Sequence, residues 1–418
     1  MTWSIKLNQS KYTIFEKLEN LLCFATVLCI FIFNFNEEGG RVIVNLLIII
    51  FSALELFLAS RKNNIKLSYG LICYGIFVII CMFSCIYSTA KADSVEKVKT
   101  VVILWFFMLS IYIFLCNKNR SELLMKFIVY SSVSAAVYLL INSAWSSGTR
   151  VTSIIGDSNQ AGAYFSYSAT IIFYCTKQKS INRIIGYGGL ILVVWAILIS
   201  GSRSSLLELF VGLVALQIIM DNITNERLYK RLFGFAVIAA AVLVIYHLAM
   251  TNEILYEILG RRIDSMFEIM SGKKSSINET STEMRRYFRQ WALERFYSSP
   301  IGGTGIGSFN DYLYNKIGRY AFSHNNYVEL LQGVGLLGTI PYYSYHFITI
   351  KGFIDNRNER TTLAIVLLLQ MLIAHYAVVF YYQKLEIIFM TLMMYLICHN
   401  KEGRYWSEIK KKQSYIER

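Results

Sequence analysis

The sequence contains few charged side chains and almost no proline. Only 16% of its 418 residues are charged and two are proline, whereas 55% are hydrophobic. This composition excludes a set of ordinary soluble domains, although the length alone would suggest two or three. Apolar runs such as residues 42–60 are long enough to cross a hydrocarbon core of about 30 Å as helices. Strand-like alternation is also lacking, so helices are the only candidates for the spanning segments.

Hydropathy predicts an all-α polytopic membrane protein with about twelve transmembrane helices. Residues 1–251 are predicted to hold helices 1–9, and residues 324–400 helices 10–12. Residues 252–323 form a large extracytoplasmic loop with an amphipathic helix, and residues 401–418 a basic cytoplasmic tail. No small-residue cleavage site follows the first run, so we interpret it as a span. The predicted spans are 18–36, 42–59, 67–88, 98–116, 123–145, 160–176, 184–200, 203–220, 232–251, 325–350, 361–380 and 385–400.

The distribution of Lys and Arg predicts the orientation. With twelve spans, 23 basic residues fall on the side that holds both termini, and seven fall in short segments on the other side. The long loop contributes ten more, but long loops count little in this rule. We therefore expect both termini in the cytoplasm and the loop outside. The net charge of +14 does not indicate a nucleic-acid partner, because the excess lies in short loops and a tail suited to anionic lipid headgroups.

Metal and disulfide chemistry have little support in the sequence. None of the eight cysteines lies in the outward loop. Cys81 and Cys85 share a helix face, but no nearby His or carboxylate completes a metal site. The outward segments also lack an Asp-x-Asp pair for Mg²⁺. We expect neither a metal nor another cofactor.

Polar residues gather in four outward segments. The first, residues 146–168, holds Arg150 and Asn159 just before a span. A loop with a helix N-cap near Asp157 or Ser158 explains this pattern, and so does an arginine that points into an outward cavity. The second is Gly201-Ser202-Arg203, where two apolar runs meet. An arginine near hydrocarbon depth is costly and normally finds an anion or a wet cavity; the alternative is that Arg203 reaches the headgroups.

The third segment, residues 280–300, has helical periodicity. Met284, Phe288 and Trp291 form an apolar stripe, and three arginines lie within about 100° of arc beside it. Arginine binds phosphate oxygens in a bidentate manner, so Arg285, Arg286 and Arg289 are candidate phosphate ligands. The alternative is a solvated basic face.

The fourth segment, residues 298–312, is rich in glycine, and the histidine-containing stretch follows it. Gly303 and Gly305 do not fit a nucleotide-binding motif, but they would let backbone approach a ligand closely. His324 is the one histidine of five that lies at an outer helix start, next to Asn325. A helix N-terminus disfavours imidazolium and leaves a neutral base. The alternative is that His324 and Asn325 only cap the helix.

These motifs, in this order, resemble those of the O-antigen ligase and polymerase family. The resemblance rests on Arg150 with Asn159, "SGSR" at 200–203, the arginines before "WAL", "SSPIGGTGIGSF" and "SHNNYVELLQGVGLLG", and it is closest over residues 200–340. It implies a membrane-embedded, inverting and metal-independent glycosyltransferase of bacterial surface polysaccharide assembly, in the cytoplasmic membrane with an extracytoplasmic active site. The donor is a polyprenyl-diphosphate-linked glycan, and a flippase and a chain-length regulator of the same pathway are possible partners.

The resemblance assigns roles but leaves alternatives. Arg203, Arg285 and Arg286 would hold the diphosphate and His324 would serve the acceptor hydroxyl. Arg150, Ser202, Arg289, Gly303, Gly305, Asn159 and Asn325 would bind substrate. Arg285 and Arg286 compete for one motif position, and Ser158 stands where the family has proline. We favour a polymerase; a ligase that uses lipopolysaccharide core is the alternative, and a flippase or transporter is a weaker one, suggested by Glu55, Glu208 and Glu386 in or near spans.

Overall fold

The computed structural model describes residues 9–33, 39–60, 67–142, 157–224, 227–261, 264 and 279–399. All regular structure in these residues is helical, and short helical turns (Glu253–Leu255, Tyr256–Gly260) precede the helix that begins at Glu279. The longer helices are α1 (Gln9–Phe33), α2 (Gly39–Ser60), α3 (Tyr69–Tyr87), α4 (Lys91–Cys116), α5 (Ser121–Asn142), α6 (Ser158–Lys177), α7 (Arg183–Ser200), α8 (Arg203–Ile223), α9 (Leu228–Thr251), α10 (Glu279–Ser298), α11 (Ser308–Ile317), α12 (Asn326–Asp355), α13 (Glu359–Ala377) and α14 (Lys384–Cys398).

Each predicted span overlaps a different one of these helices. Within the described residues, seven helices are long and apolar enough to cross a membrane: α2, α3, α4, α5, α7, α8 and α13. The all-helical membrane architecture is therefore confirmed, and the total of twelve spans stays a prediction. The amphipathic helix expected near residues 280–300 is present as α10, which begins slightly before the expected Ser281 or Thr282.

The burial pattern separates central from peripheral helices. Every residue of α14 from Leu385 to Leu396 is buried, as expected for a helix surrounded by others. Helix α2, by contrast, exposes about half of the side chains of Ile49 and Ile50. Polar contacts join the inner helices: the Gln370 side-chain amide donates to the backbone carbonyl of Glu208 at 2.9 Å. Such interhelical bonds stabilise packing where no water competes.

The two ends of α4 carry different charge chemistry. Beyond its C-terminal end, Arg120 is 6% exposed and its guanidinium lies 2.6 Å from Glu19 and 3.7 Å from Glu16. Near its N-terminal end, Lys97 lines a cavity together with Arg41 and Lys384. The structure thus places Arg41, Lys97 and Lys384 together near the N-terminal end of α4. The sequence assigns all three to the outward side.

Helix α12 is broken at Gly335, although the sequence suggested a continuous span over residues 325–350. Gly335 has φ +60° and ψ −164°, a conformation that L side chains rarely adopt. Residues 299–307 of the glycine-rich segment pack into the break. Thr304 N–H donates to Gln332 O at 2.7 Å, and Leu336 N–H donates to Pro300 O at 2.9 Å. The loop therefore pairs with backbone groups that the interrupted helix leaves available.

Candidate functional site

His324 has a constrained backbone. Its φ of +53° is uncommon for a residue with a side chain and costs roughly 1–2 kcal/mol. Its neighbours are fixed: Ser323 N–H donates to Glu329 Oε2 at 3.0 Å, and Ser323 Oγ donates to Asn325 O at 2.9 Å. Asn325 Oδ1 accepts from Val328 N–H at 3.0 Å and caps α12. The surrounding bonds thus hold His324 in a conformation that it would not adopt alone.

The two asparagines after His324 attach this corner to the bundle. Asn325 Nδ2 donates to Tyr376 O at 3.2 Å. Asn326 Oδ1 accepts from Phe380 N–H at 2.8 Å and from Tyr381 N–H at 3.0 Å. The observed contacts of Asn325 are therefore those of a helix cap that also bonds to the backbone of Tyr376. His324 differs from both, because its side chain borders two cavities.

The first cavity, here named the arginine cavity, has a volume of about 610 Å³. It lies between α10 and the segment that leads into α12, and its charged lining residues are Arg285 and Arg319. Phe288 forms part of the same wall and stacks on His324, with ring centroids 6.3 Å apart and planes 15° apart. The imidazole therefore has one face packed on an aromatic ring beside a cationic space.

Two further arginines lie near this cavity. The positive charge of Arg285 acts on Arg203, at the start of α8, although about 80 residues separate them in sequence. Arg289 acts on His324, and its guanidinium lies 5.2 Å from the centre of the Tyr376 ring. Arg203, Arg285, Arg289 and His324 are thus brought into one electrostatic environment. Their roles as phosphate ligands and base stay predictions.

The arrangement perturbs the histidine. The pKa of His324 is lowered from 6.5 to about 4, mainly by burial; repulsion from Arg285, Arg289 and Arg319 contributes to the shift, and Asp157 opposes it. The side chain is consequently neutral near pH 7 and can accept a proton. Because like charges surround it, an anion bound in the arginine cavity would relieve repulsion among the arginines and favour the imidazolium.

Arg285 and Arg286 occupy different environments. Both belong to α10, where adjacent residues point about 100° apart. Met284, Phe288 and Trp291 pack towards the cluster that includes Phe309 and Leu313, which fixes the rotation of the helix. In that rotation Arg285 lines the arginine cavity, whereas Arg286 is exposed and lines neither cavity bordering His324. Of the two candidate phosphate ligands, Arg285 is therefore the one that faces the cavity.

Other predicted substrate residues have structural contacts. Ser202 is fully buried and caps α8, accepting from Ser205 N–H at 3.4 Å. Asn159 N–H donates to Asp157 Oδ1 at 2.8 Å, so Asp157 caps α6. Gly303 packs closely against the backbone of α12, and Gly305 packs closely against Ser88. Both close approaches are therefore made to the protein itself. Their substrate roles stay predictions, and Arg150 lies outside the described residues.

Sequence reasoning missed two arginines. Arg319 lines the arginine cavity five residues before His324, in the same polar stretch, and that proximity was an available signal. Arg295 connects α10 to the glycine-rich segment: its Nη2 donates to Thr304 Oγ1 at 2.7 Å and to Ser308 Oγ at 3.1 Å. No sequence pattern links Arg295 to these hydroxyls, because the contact forms only after the loop folds back.

Comparison with known proteins identifies one family over part of the chain. No curated protein matches the chain. Residues 188–343 match the family described as O-antigen ligase. The matched segment contains Arg203, Arg285, the glycine-rich segment and His324, and it excludes α2, α4 and α14. The match confirms, for residues 188–343, the resemblance to the O-antigen ligase and polymerase family that the sequence motifs indicate.

Proposed function

We propose that the protein polymerises polyprenyl-diphosphate-linked oligosaccharide repeat units into O-antigen or capsular polysaccharide on the outer face of the bacterial cytoplasmic membrane. The family match supports an activity of the ligase or polymerase type in general. The observation that carries the proposed transfer from a diphosphate-linked donor is the arginine cavity, which pairs Arg285 and Arg319 with His324 and has no acidic residue among its lining residues. A diphosphate is a suitable ligand for such a site.

The chemistry follows from these groups. An acceptor hydroxyl attacks the anomeric carbon on the face opposite the diphosphate, and the carbon–oxygen bond to the diphosphate breaks with its electron pair on oxygen. Arg285 and Arg319 stabilise the negative charge that develops on the departing polyprenyl diphosphate. His324 takes the hydroxyl proton and later releases it to solvent. The configuration at the anomeric carbon inverts, and guanidinium charge replaces a metal in this scheme.

Donor binding also prepares the base. The pKa of His324 is about 4, so the imidazole is neutral but a weak base. Phosphate charges beside Arg285 and Arg319 would offset the repulsion that lowers this pKa. The histidine would then become more basic only when the leaving group is in place. Such coupling keeps the proton acceptor inactive towards water until the donor is bound.

The acceptor distinguishes two candidate functions. A polymerase transfers the glycan to another lipid-linked repeat unit, whereas a ligase transfers it to a lipopolysaccharide core sugar. The family match does not distinguish the two. Both use the same donor site and the same base.

Reconstitution in liposomes tests the proposal. Purified protein given only a synthetic lipid-linked repeat unit is expected to produce a ladder of glycan lengths, separated by gel electrophoresis. His324→Ala should leave the unit at single length while the variant inserts and melts like the wild type. Transfer only after lipopolysaccharide core is added would instead identify a ligase. A normal ladder from His324→Ala would contradict the proposed mechanism.

A further inference from the structure

A second cavity borders the other side of His324. It has a volume of about 480 Å³ and shares Phe322 and His324 with the arginine cavity. Its size lies within the ordinary range for small-molecule sites. Its basic lining residues, Arg41, Lys97 and Lys384, come from α2, α4 and α14, all outside the matched segment 188–343. We name it the lysine cavity.

Lys97 is held without a direct acidic partner. Its Nζ lies 3.7 Å from the centre of the Tyr382 ring and 5.1 Å from that of Phe322. Among the ion pairs of the described residues, none includes Lys97. Its attraction to Glu329, Glu96 and Asp93 is electrostatic at longer range. The aromatic rings thus position an ammonium group whose hydrogen-bonding capacity remains for a ligand.

The three cations repel one another. The charge of Arg41 acts on both Lys97 and Lys384. Glu96 and Asp157 are the acidic lining residues, but Glu96 is exposed and Asp157 already accepts the capping bond from Asn159. An anionic ligand would relieve this repulsion. The side-chain amides of Asn45 and Gln383 in the same wall can bond sugar hydroxyls.

We infer that the lysine cavity binds the acceptor glycan and that Arg41, Lys97 and Lys384 hold an anionic group on it, a carboxylate or a phosphate. This inference rests on the proposed function. Inversion requires the acceptor hydroxyl and the departing diphosphate to lie on opposite sides of the anomeric carbon. His324 borders both cavities, so a hydroxyl that arrives from the lysine cavity meets the base while the diphosphate occupies the arginine cavity.

Chemical protection of His324 tests each cavity separately. Diethyl pyrocarbonate modifies neutral imidazole, and its rate at His324 can be followed by peptide mass spectrometry on the full-length protein in detergent. Farnesyl diphosphate should protect His324 from the arginine cavity, and Arg285→Gln should weaken that protection. Glucuronate and glucose 1-phosphate should protect from the lysine cavity, each better than glucose, and their comparison identifies a carboxylate or a phosphate as the anionic group.

Lys97→Gln is expected to weaken protection by the effective sugar anion about tenfold, because a charge-assisted bond is lost, and to leave farnesyl diphosphate protection unchanged. Retained farnesyl diphosphate protection also shows that the variant is folded. Lys99→Gln, an exposed position on the same helix, is the matched control and should have no effect. The inference is overturned if neither anion protects better than glucose, or if Arg285→Gln and not Lys97→Gln abolishes their effect. Failure of farnesyl diphosphate to protect the wild type would instead overturn the proposed function.

Discussion

Arg285 and Arg286 are adjacent, carry the same charge and belong to the same helix, so they form a matched pair for mutation. Arg285 lines the arginine cavity and Arg286 is exposed. A hydrogen bond to a charged group contributes roughly 1.5–3 kcal/mol. Loss of the bidentate contact in Arg285→Gln should therefore cost about 3 kcal/mol of transition-state stabilisation, or a fall of roughly 100-fold in kcat/KM for the donor.

Arg286→Gln should change kcat/KM by less than about threefold, since exposed charges are strongly screened. The assay is the initial rate of glycan extension at low donor concentration, with thermal unfolding in detergent as the folding control. Arg285→Gln should melt no lower than the wild type, because the substitution removes repulsion with Arg203. Equal losses in the two variants, or a loss only in Arg286→Gln, would refute the assignment.

Three further predictions concern pH, charge geometry and the loop. Because the pKa of His324 is lowered to about 4, kcat/KM should stay level as pH falls from 7 to about 5 and should drop near pH 4. Arg319→Gln removes one of the repelling charges and should move that drop to higher pH. An Arg319→Gln profile identical to that of the wild type would exclude His324 as the base. Arg203→Lys keeps the charge but loses the planar fork, so activity should fall about tenfold with unchanged melting; a wild-type rate would favour the headgroup alternative. Gly303→Ala adds a Cβ 2.6 Å from Gly333 backbone at φ +72°, so thermal unfolding should show a loss of about 2 kcal/mol or more, whereas Gly302→Ala should be mild.

The intramembrane acids that suggested transport have a partial structural explanation. Glu386 Oε1 lies 2.8 Å from His375 Nε2, and both side chains are buried. Tyr343 Oη lies 3.2 Å from His375 Nδ1, so the histidine connects α12, α13 and α14. These contacts give His375 a hydrogen-bonded structural role between the helices.

Local sequence periodicity determined much of the architecture. Long apolar runs located the helices, because a helix in lipid must satisfy its backbone internally whatever its neighbours are. The Met284, Phe288 and Trp291 stripe located α10, since residues three and four apart share a helix face. Serine, asparagine and arginine near the helix starts indicated the region in which the two cavities bordering His324 lie.

Tertiary structure alone decided which of those residues face one another. The rotation of α10 chose Arg285 over Arg286, and that rotation depends on packing against Phe309 and Leu313. The break at Gly335 gave the glycine-rich segment backbone partners that no local pattern specifies. Arg41, Lys97 and Lys384 line one cavity, although more than 300 residues separate the first from the last. Their charges act on one another through space, and the order of residues along a chain does not record spatial distance. The sequence by itself determined the helices and the residue types available for chemistry, and only their packing decided which side chains meet at His324.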